Sequence, residues 1–474
     1  MKKSDPANMS DTLTHPAVTG APSAPADRTA HPKAALGAAM LGFFVVALDS
    51  QVVNVALPSI RADLGGGLSG LQWVVTGYTL MFSALILFAG TFSERVGAKR
   101  AYGAGMVLFV LASAACGLAP RLGLLVGARF VQGLGAALIT PTALALIREA
   151  YSDTGQRARA IAYWAMGGSV AAAAGPIVGG ALTQIDWRII FYLNLPVGVV
   201  AVLVLTRVGS SPRQVVPFDW TGQLTAVTGL AALTYAIIEG GNGGYGRPLI
   251  LIAFALFVVA IMLFLLAQSR GAHPMVPLDL FRSSPVVVAL VAAAIGMVGF
   301  YGVVFVQSLY FQQVRGESPF VTGMLFLPMT ALVAGLSPVV PRIAVRFGRR
   351  VPIVGGQALM AAGLVALACV PATAPTWAVA LLMVPVGVGG SFTVPPLTSL
   401  LLDSVPAHRA GTASGVLNMF RQMGGSLGVA AVGTVLAVAP SFLTGLRSSL
   451  LVVAALVAAT AIASLTVRGT AAAG

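Results

Sequence analysis

The feature that most constrains this chain is a recurrence of apolar stretches of about 20 residues, each long enough to cross a hydrocarbon core of roughly 30 Å. Scanning for them gives fourteen spans, at 35–57, 71–92, 101–119, 122–147, 158–183, 188–207, 221–238, 249–268, 285–313, 321–341, 351–371, 376–402, 412–437 and 449–467. A backbone inside a bilayer has no water to bond to, so only helices and closed barrels cross it, and barrel strands are about half this length. The expected fold is therefore an all-α integral membrane protein. Composition agrees, with 57% of the 474 residues hydrophobic and only 9% charged.

The net charge of +14 would suit a nucleic-acid binder, but its distribution points elsewhere. With the N-terminus in the cytoplasm, the tails and loops on that side sum to about +11 and those on the other side to about +2, as the positive-inside rule requires. Both termini are expected in the cytoplasm, in the inner membrane, with no nucleic-acid partner. Residues 1–33 are rich in Ala, Pro, Ser and Thr and hold no apolar core, which reads as a disordered cytoplasmic tail without a cleaved signal. Cys116 and Cys369 each stand alone in an apolar span, and His15, His31, His273 and His408 fall in tails or loops. No disulfide, metal site or cofactor is indicated, and no phosphate loop for ATP. No His, Cys or acid cluster lies at one depth, so no enzyme and no catalytic residues are expected. Work would be drawn from an ion gradient.

A weak repeat organises the chain. Arg95-Val96-Gly97-Ala98-Lys99-Arg100 follows the second span and Arg346-Phe347-Gly348-Arg349-Arg350 follows the tenth, both basic, Gly-centred turns. If these correspond, six spans form each repeat and spans seven and eight are inserted between them. The expected division is a tail at 1–33, a six-helix bundle at 34–208, an inserted helix pair at 209–270, a connector at 271–284 and a second six-helix bundle at 285–474. Paired halves are how many secondary transporters alternate access to a mid-membrane site.

Polar groups inside spans are costly and mark function. Asp49 lies roughly 12 Å below the outer end of the first span, and Arg129 roughly 10 Å below the same surface in the fourth, at 1.5 Å per residue. The two are expected to pair, directly or through water or Gln132, which lies one turn from Arg129. A structural ion pair is the plainer reading, but buried pairs stabilise poorly compared with apolar packing, which favours a proton-coupling role. Gln51 and Asn54 lie toward the opposite side of the first span from Asp49, as candidates for a cavity or an interhelical bond. In the fifth span Gly175, Gly179 and Gly180 permit close helix approach and Pro176 bends the helix. In the thirteenth, Arg421 stands roughly 13 Å deep with no obvious acidic partner, either lining a cavity with Asn418 or capping carbonyls. The ninth span carries two stripes, Phe300, Gln307 and Phe311, and Tyr301, Phe305 and Gln312, suited to a flat hydrophobic ligand or to plain packing. Glu239 reads as an interfacial charge at the outer end of the seventh span.

Together these segments resemble the major facilitator superfamily, in particular its fourteen-helix drug:proton antiporter branch. Leu48-Asp49 through Leu57-Pro58 is similar to that branch's first-helix signature, and Trp73 to Leu80, with Tyr78, to its second. Gly90-Thr91-Phe92-Ser93-Glu94-Arg95-Val96-Gly97-Ala98-Lys99-Arg100 resembles the cytoplasmic gating motif, with Glu94 where Asp is usual and Ala98 where a base is usual. Arg129-Phe130-Val131-Gln132-Gly133 resembles the fourth-helix motif linked to proton transfer, and Gly175-Pro176 through Gly179-Gly180 the fifth-helix motif of antiporters. Trp187-Arg188 through Phe191, Asn194 and Pro196, and Arg421-Gln422 with Gly424-Gly425, also match. The resemblance implies two six-helix bundles plus the inserted pair, a monomer in the lipid bilayer, and proton-driven efflux of lipophilic drugs, antibiotics or related small molecules. It places Asp49, Arg129 and Gln132 in proton coupling, Gln51, Asn54, Tyr78, Phe300, Tyr301, Gln307, Phe311, Asn418 and Arg421 at the substrate cavity, and Gly90, Glu94, Arg95, Gly97, Gly175, Pro176, Gly179 and Gly180 in gating. A proton symporter for uptake of a metabolite is the alternative.

Overall fold

The structure, a computed structural model, describes residues 31–466 except 214, 272, 407 and 408. The expected tail lies almost wholly outside the described residues, as do His15 and His408. The first helix nevertheless begins at Pro32, inside the expected tail, because proline is well suited to a first helical turn.

The first group of helices is α1 (Pro32–Leu64), α2 (Leu68–Val96), α3 (Ala98–Gly117), α4 (Leu122–Ala150), α5 (Thr154–Thr183), the short α6 (Ile189–Tyr192) and α7 (Asn194–Thr206). Next come α8 (Trp220–Gly243) and α9 (Pro248–Arg270). The last group is α10 (Ser284–Leu309), α11 (Pro319–Leu336), the short α12 (Val340–Phe347), α13 (Arg350–Cys369), α14 (Thr376–Asp403), α15 (Ala410–Val438) and α16 (Phe442–Ser464). Thirteen helical segments among the described residues are long and apolar enough to span a membrane. The expected span absent from these thirteen, the thirteenth at 412–437, forms the 29-residue helix α15, but Arg421, Gln422 and their polar and glycine neighbours dilute its hydropathy. Three other spans differ in detail. The span at 188–207 breaks at Leu193, the span at 285–313 ends in a π-helical turn, Tyr310–Val314, and the span at 321–341 stops at Leu336.

The two basic turns adopt one geometry. Gly97 has φ of +92° and Gly348 of +80°, a region open to glycine at little cost. They mark the basic end of the molecule; the turn at Gly65–Gly67 and the α5–α6 turn mark the opposite end.

Within the first group α1 packs on α4, α5 and α7, and α3 on α4; within the last α10 packs on α15 and α16, and α13 on α14 and α16. The groups meet along two seams, α2 with α15 and α5 with α11. Helix α8 lies over the first seam. Its Gln223 donates to the Ala84 carbonyl of α2 (2.8 Å), its Glu239 accepts from Trp73 Nε1 of α2 (2.8 Å), and its Ile237 carbonyl accepts from Thr434 of α15 (2.8 Å). Glu239 thus serves as an interhelical acceptor. Glu239→Gln, which keeps that oxygen, is expected to leave transport unchanged, and a collapse of transport in this variant would make Glu239 a second proton site. Helix α9 is almost uniformly apolar and largely uncovered by protein. In the connector, Asp279 pairs with Arg409, whose hydrogen bond holds the carboxyl below its ordinary range.

At the opposite end the two groups are joined by bonds to backbone carbonyls. Gln72 donates to the Ala430 carbonyl (2.8 Å), Ser308 to that of Asn54 (2.6 Å) and Gln312 to that of Val55 (2.9 Å). Toward the basic end the groups part along the α5–α11 seam, while Leu87 of α2 still packs on Gly415 of α15. Among the described residues no hydrogen bond joins them there, and Ala160 and Gly168 are the only buried residues of α5 before Ala171. In α11 every buried residue precedes Ala331. The molecule is therefore open at its basic end. Along α1 the residues at 40, 43, 44, 47 and 50 keep partial exposure, whereas everything from Gln51 to Leu57 is buried. The opening ends at Ser50.

Candidate functional site

One turn of helix decides how the site is divided. Ser50 faces the opening, while Asp49 turns into the first helix group and is wholly buried. Its carboxylate is enclosed by donors. Arg129 Nη1 approaches Oδ2 at 2.5 Å, and Gln132 Nε2 and Asn194 Nδ2 both donate to Oδ1 at 2.9 Å. Arg129, 1% exposed, also donates to the Val74 carbonyl (3.0 Å) and to Gln132 Oε1 (2.7 Å), and its guanidinium lies 4.3 Å from the centre of the Tyr78 ring. Every charge in this cage is answered, as a buried pair must be to avoid a net cost. The carboxylate supplies the negative charge that faces Arg129.

Small residues bring these groups together. Gly133, next to Gln132, lies against the Tyr78 carbonyl of α2, and Gly135 against the Phe109 backbone of α3, where an added Cβ would sit 2.8 Å from the Phe109 nitrogen. Helix α4 can therefore press Arg129 between its neighbours. Asn194 is placed by the break at Leu193. The preceding turn is tied to the end of α1, since Trp187 Nε1 (3.0 Å) and Arg188 Nη1 (2.5 Å) both donate to Asp63.

Sequence reasoning noted Asn194 only as a motif residue and passed over Ser113. Asn194 Nδ2 also donates to Ser113 Oγ (2.9 Å), which in turn donates to the Phe191 carbonyl (2.8 Å). The usable signal was a hydroxyl and an amide within apolar spans, both wholly buried here. Asn194→Ala removes a donor from Asp49 and is expected to cost about 1–3 kcal/mol, read as a lower thermal midpoint of the purified protein. An unchanged midpoint would mean that Asp49 is satisfied without it.

The other predicted residues separate by location. Tyr301 and Phe300 of α10 and Asn418 and Arg421 of α15 keep partial exposure at the inner limit of the opening. Tyr78 is buried against Arg129 and donates to the Val46 carbonyl (3.2 Å). Gln51 is buried with its Cβ against Gly175, and Asn54 is buried and donates to the Ser50 carbonyl of its own helix (3.1 Å). Neither faces the opening in this conformation. Gln307 and Phe311 are also placed elsewhere: both are buried near the opposite end, and Phe311 meets Phe326 edge to face. Their helical spacing continues the Phe300 stripe, but past Tyr301 helix α10 is enclosed by its neighbours.

The glycines of α5 seal the opposite end. Gly179 lies on the α1 backbone, where a Cβ would fall 2.7 Å from the Val52 oxygen. Gly180 lies on the Pro319 carbonyl of α11, and the Pro176 carbonyl abuts Gly323 of the same helix. At the basic end Gly97 packs against Ser211, which accepts from the Lys99 amide (3.0 Å) and donates to Glu149 (2.5 Å). Arg95 lies 5.0 Å from the Phe218 ring centre. Glu94 is exposed and has no ion pair among the described residues, and Gly90 faces open space.

A helical membrane protein with a compensated ion pair beside an opening between two helix groups has the layout of a carrier. The Major Facilitator Superfamily family model matches residues 39–429, and the chain belongs to that superfamily; it is a multi-pass membrane protein. It is 38% identical over 403 residues to the "Multidrug resistance protein Stp" of Mycobacterium tuberculosis, covering 84% of this chain and 74% of that one. It is 35% identical over 397 residues to the "Methylenomycin A resistance protein" of Streptomyces coelicolor, covering 83% and 84%. Among solved structures, the inward-open xylose transporter of E. coli superposes with a TM-score of 0.67 at 14% identity, over 94% of this chain and 98% of that one. That likeness concerns the fold.

Proposed function

We propose that this protein is a proton-coupled efflux antiporter of the fourteen-helix drug:proton branch, a carrier rather than an enzyme, exporting lipophilic drugs, antibiotics or related small molecules. The observation that carries the reading is the wholly buried Asp49 carboxylate held by Arg129, Gln132 and Asn194, in a protein shut at one end and open at the other. The names of the two resistance relatives support export as the direction of transport. The basic end is the cytoplasmic one and both termini lie there, in the inner membrane, by the charge distribution. A monomer suffices, since one chain supplies the cage, both seams and the opening. Bundles at 34–208 and 285–474, with 209–270 inserted and 271–284 connecting, fit the packing of α1–α7 and α10–α16.

The cycle follows from compensation. In the state described, open to the cytoplasm, Asp49 is ionised and clamped by Arg129 and substrate enters the opening. The halves rock about the seams, the opposite end parts, substrate leaves, and a proton from outside neutralises Asp49 and frees Arg129. Return to the cytoplasm-open state restores the clamp and expels the proton inward. A ligand shifts such an equilibrium only through its differential affinity for the two states, and the proton has it because one state supplies three donors to the carboxylate.

The test is proton movement in inside-out vesicles with an acidified lumen. Proton release on adding a lipophilic compound establishes antiport and identifies a substrate. Proton-coupled accumulation of a compound inside expressing cells would instead place the protein among uptake carriers.

A further inference from the structure

The two arginines deep within the first and last helix groups are treated in opposite ways. Arg129 is matched by a carboxylate, an amide oxygen, a carbonyl and an aromatic face. Arg421, midway along α15, has no carboxylate within ion-pair distance among the described residues. Its Nε is enclosed without a partner, and its one side-chain bond is a long one from Nη1 to Asn418 Oδ1, at 3.3 Å. A guanidinium has five donors, and at this depth unanswered donors and charge are costly.

Its position is where a ligand would arrive. One turn further along α15, Gly425 packs on the Tyr301 ring, where a Cβ would lie 3.1 Å from Cδ2, and the Tyr301 hydroxyl lies toward Ser50. Ser50, Tyr301 and Arg421 are thus the inner limit of the opening. Phe44 of α1, Phe300 of α10 and Met419 of α15 are partly exposed apolar side chains on the helices that carry these three residues. Among the described residues a cationic ligand finds no free acid here, because Asp49 is wholly buried and already accepts from three donors.

We infer that Arg421 receives an acidic group of the substrate, so that the protein selects lipophilic anions, with a carboxylate, sulfonate or phenolate on an apolar scaffold, over matched neutral and cationic compounds. This deepens the export reading and rests on it for direction, but the recognition itself does not need proton coupling. Because a proton moving in and an anion moving out carry charge in the same sense, the cycle is electrogenic.

The test uses the full chain in zwitterionic nanodiscs, without a gradient, and one scaffold in three charge states: 1-pyrenebutyrate, 1-pyrenebutyramide and 1-pyrenebutylamine, with empty nanodiscs as the blank. Wild type is expected to bind the carboxylate about tenfold or more tighter than the amide, and the amine most weakly, since charge-assisted bidentate bonds are the strong ones. Arg421→Gln should level carboxylate and amide while leaving the amide's affinity in place, which also reports that the variant is folded. Arg421→Lys should keep only part of the preference, because an ammonium lacks the planar fork. Equal binding of carboxylate and amide by wild type, failure to bind the carboxylate, or a preference that survives Arg421→Gln would each overturn the inference. A preference for the anion in a protein that releases no protons in vesicles would uphold Arg421's role and remove the coupling reading alone.

Discussion

Asp49→Asn is expected to abolish compound-driven proton release, with a loss of at least about 100-fold, the scale on which a positioned proton carrier acts. Asparagine keeps the shape of the side chain but cannot take up and give back a proton. It also sets an amide nitrogen among groups that already donate, Gln132 Nε2, Asn194 Nδ2 and Arg129 Nη1. Removing one partner of a buried ion pair costs about 3–5 kcal/mol where nothing else compensates. Here the Val74 carbonyl, Gln132 Oε1 and the Tyr78 ring still hold the guanidinium. The variant should therefore insert and fold with a lower thermal midpoint. Gradient-driven export at the wild-type rate by a folded Asp49→Asn protein would sink the proposed cycle.

Gly180→Ala is expected to shift the protein away from the state open at the basic end. An added Cβ would meet the Pro319 carbonyl at less than contact distance and the Phe320 Cα at 3.0 Å, backbone atoms of another helix group with no flexible end to move aside. Overpacking of this kind costs about 1–3 kcal/mol. The cost falls only on the conformation in which α5 and α11 touch at the opposite end, so the equilibrium should move about 5–150-fold toward the other. Spin labels at Ile185 and Gln313 should separate, and labels at Arg159 and Val345 should approach. Gly179→Ala is the matched control. Its Cβ meets the Val52 backbone within the same helix group, so it should lower stability without redistributing these distances. Identical distance distributions in wild type and Gly180→Ala would remove the wedge argument.

Both expectations rest on features that were unequally legible beforehand. The Gly-Pro run of α5 announced close helix approach, since glycine spacing along one helix is a local property. That Gly179 would face α1 and Gly180 would face α11, one closing a bundle and the other a gate, was not legible, because neighbouring residues point to different partners once a helix is surrounded. The stripe Phe300, Gln307 and Phe311 shows the same limit. Its helical period is real, yet its first member borders the opening and the other two are enclosed near the shut end.

What the sequence alone determined was the helical class, the number of spans to within one, the placing of the basic loops and the presence of an acid and a base at similar depth. These follow from hydropathy, from charge and from 1.5 Å of rise per residue, all of which add along a single chain. Only the tertiary structure decided that Asp49 faces inward while Ser50 faces the opening, that Asn194 and Ser113 complete the cage, and that Arg421 has no counter-charge among the described residues. Those facts depend on helix rotation and on which helices are neighbours. They are set by the packing of small residues between elements far apart in sequence, which no local pattern encodes.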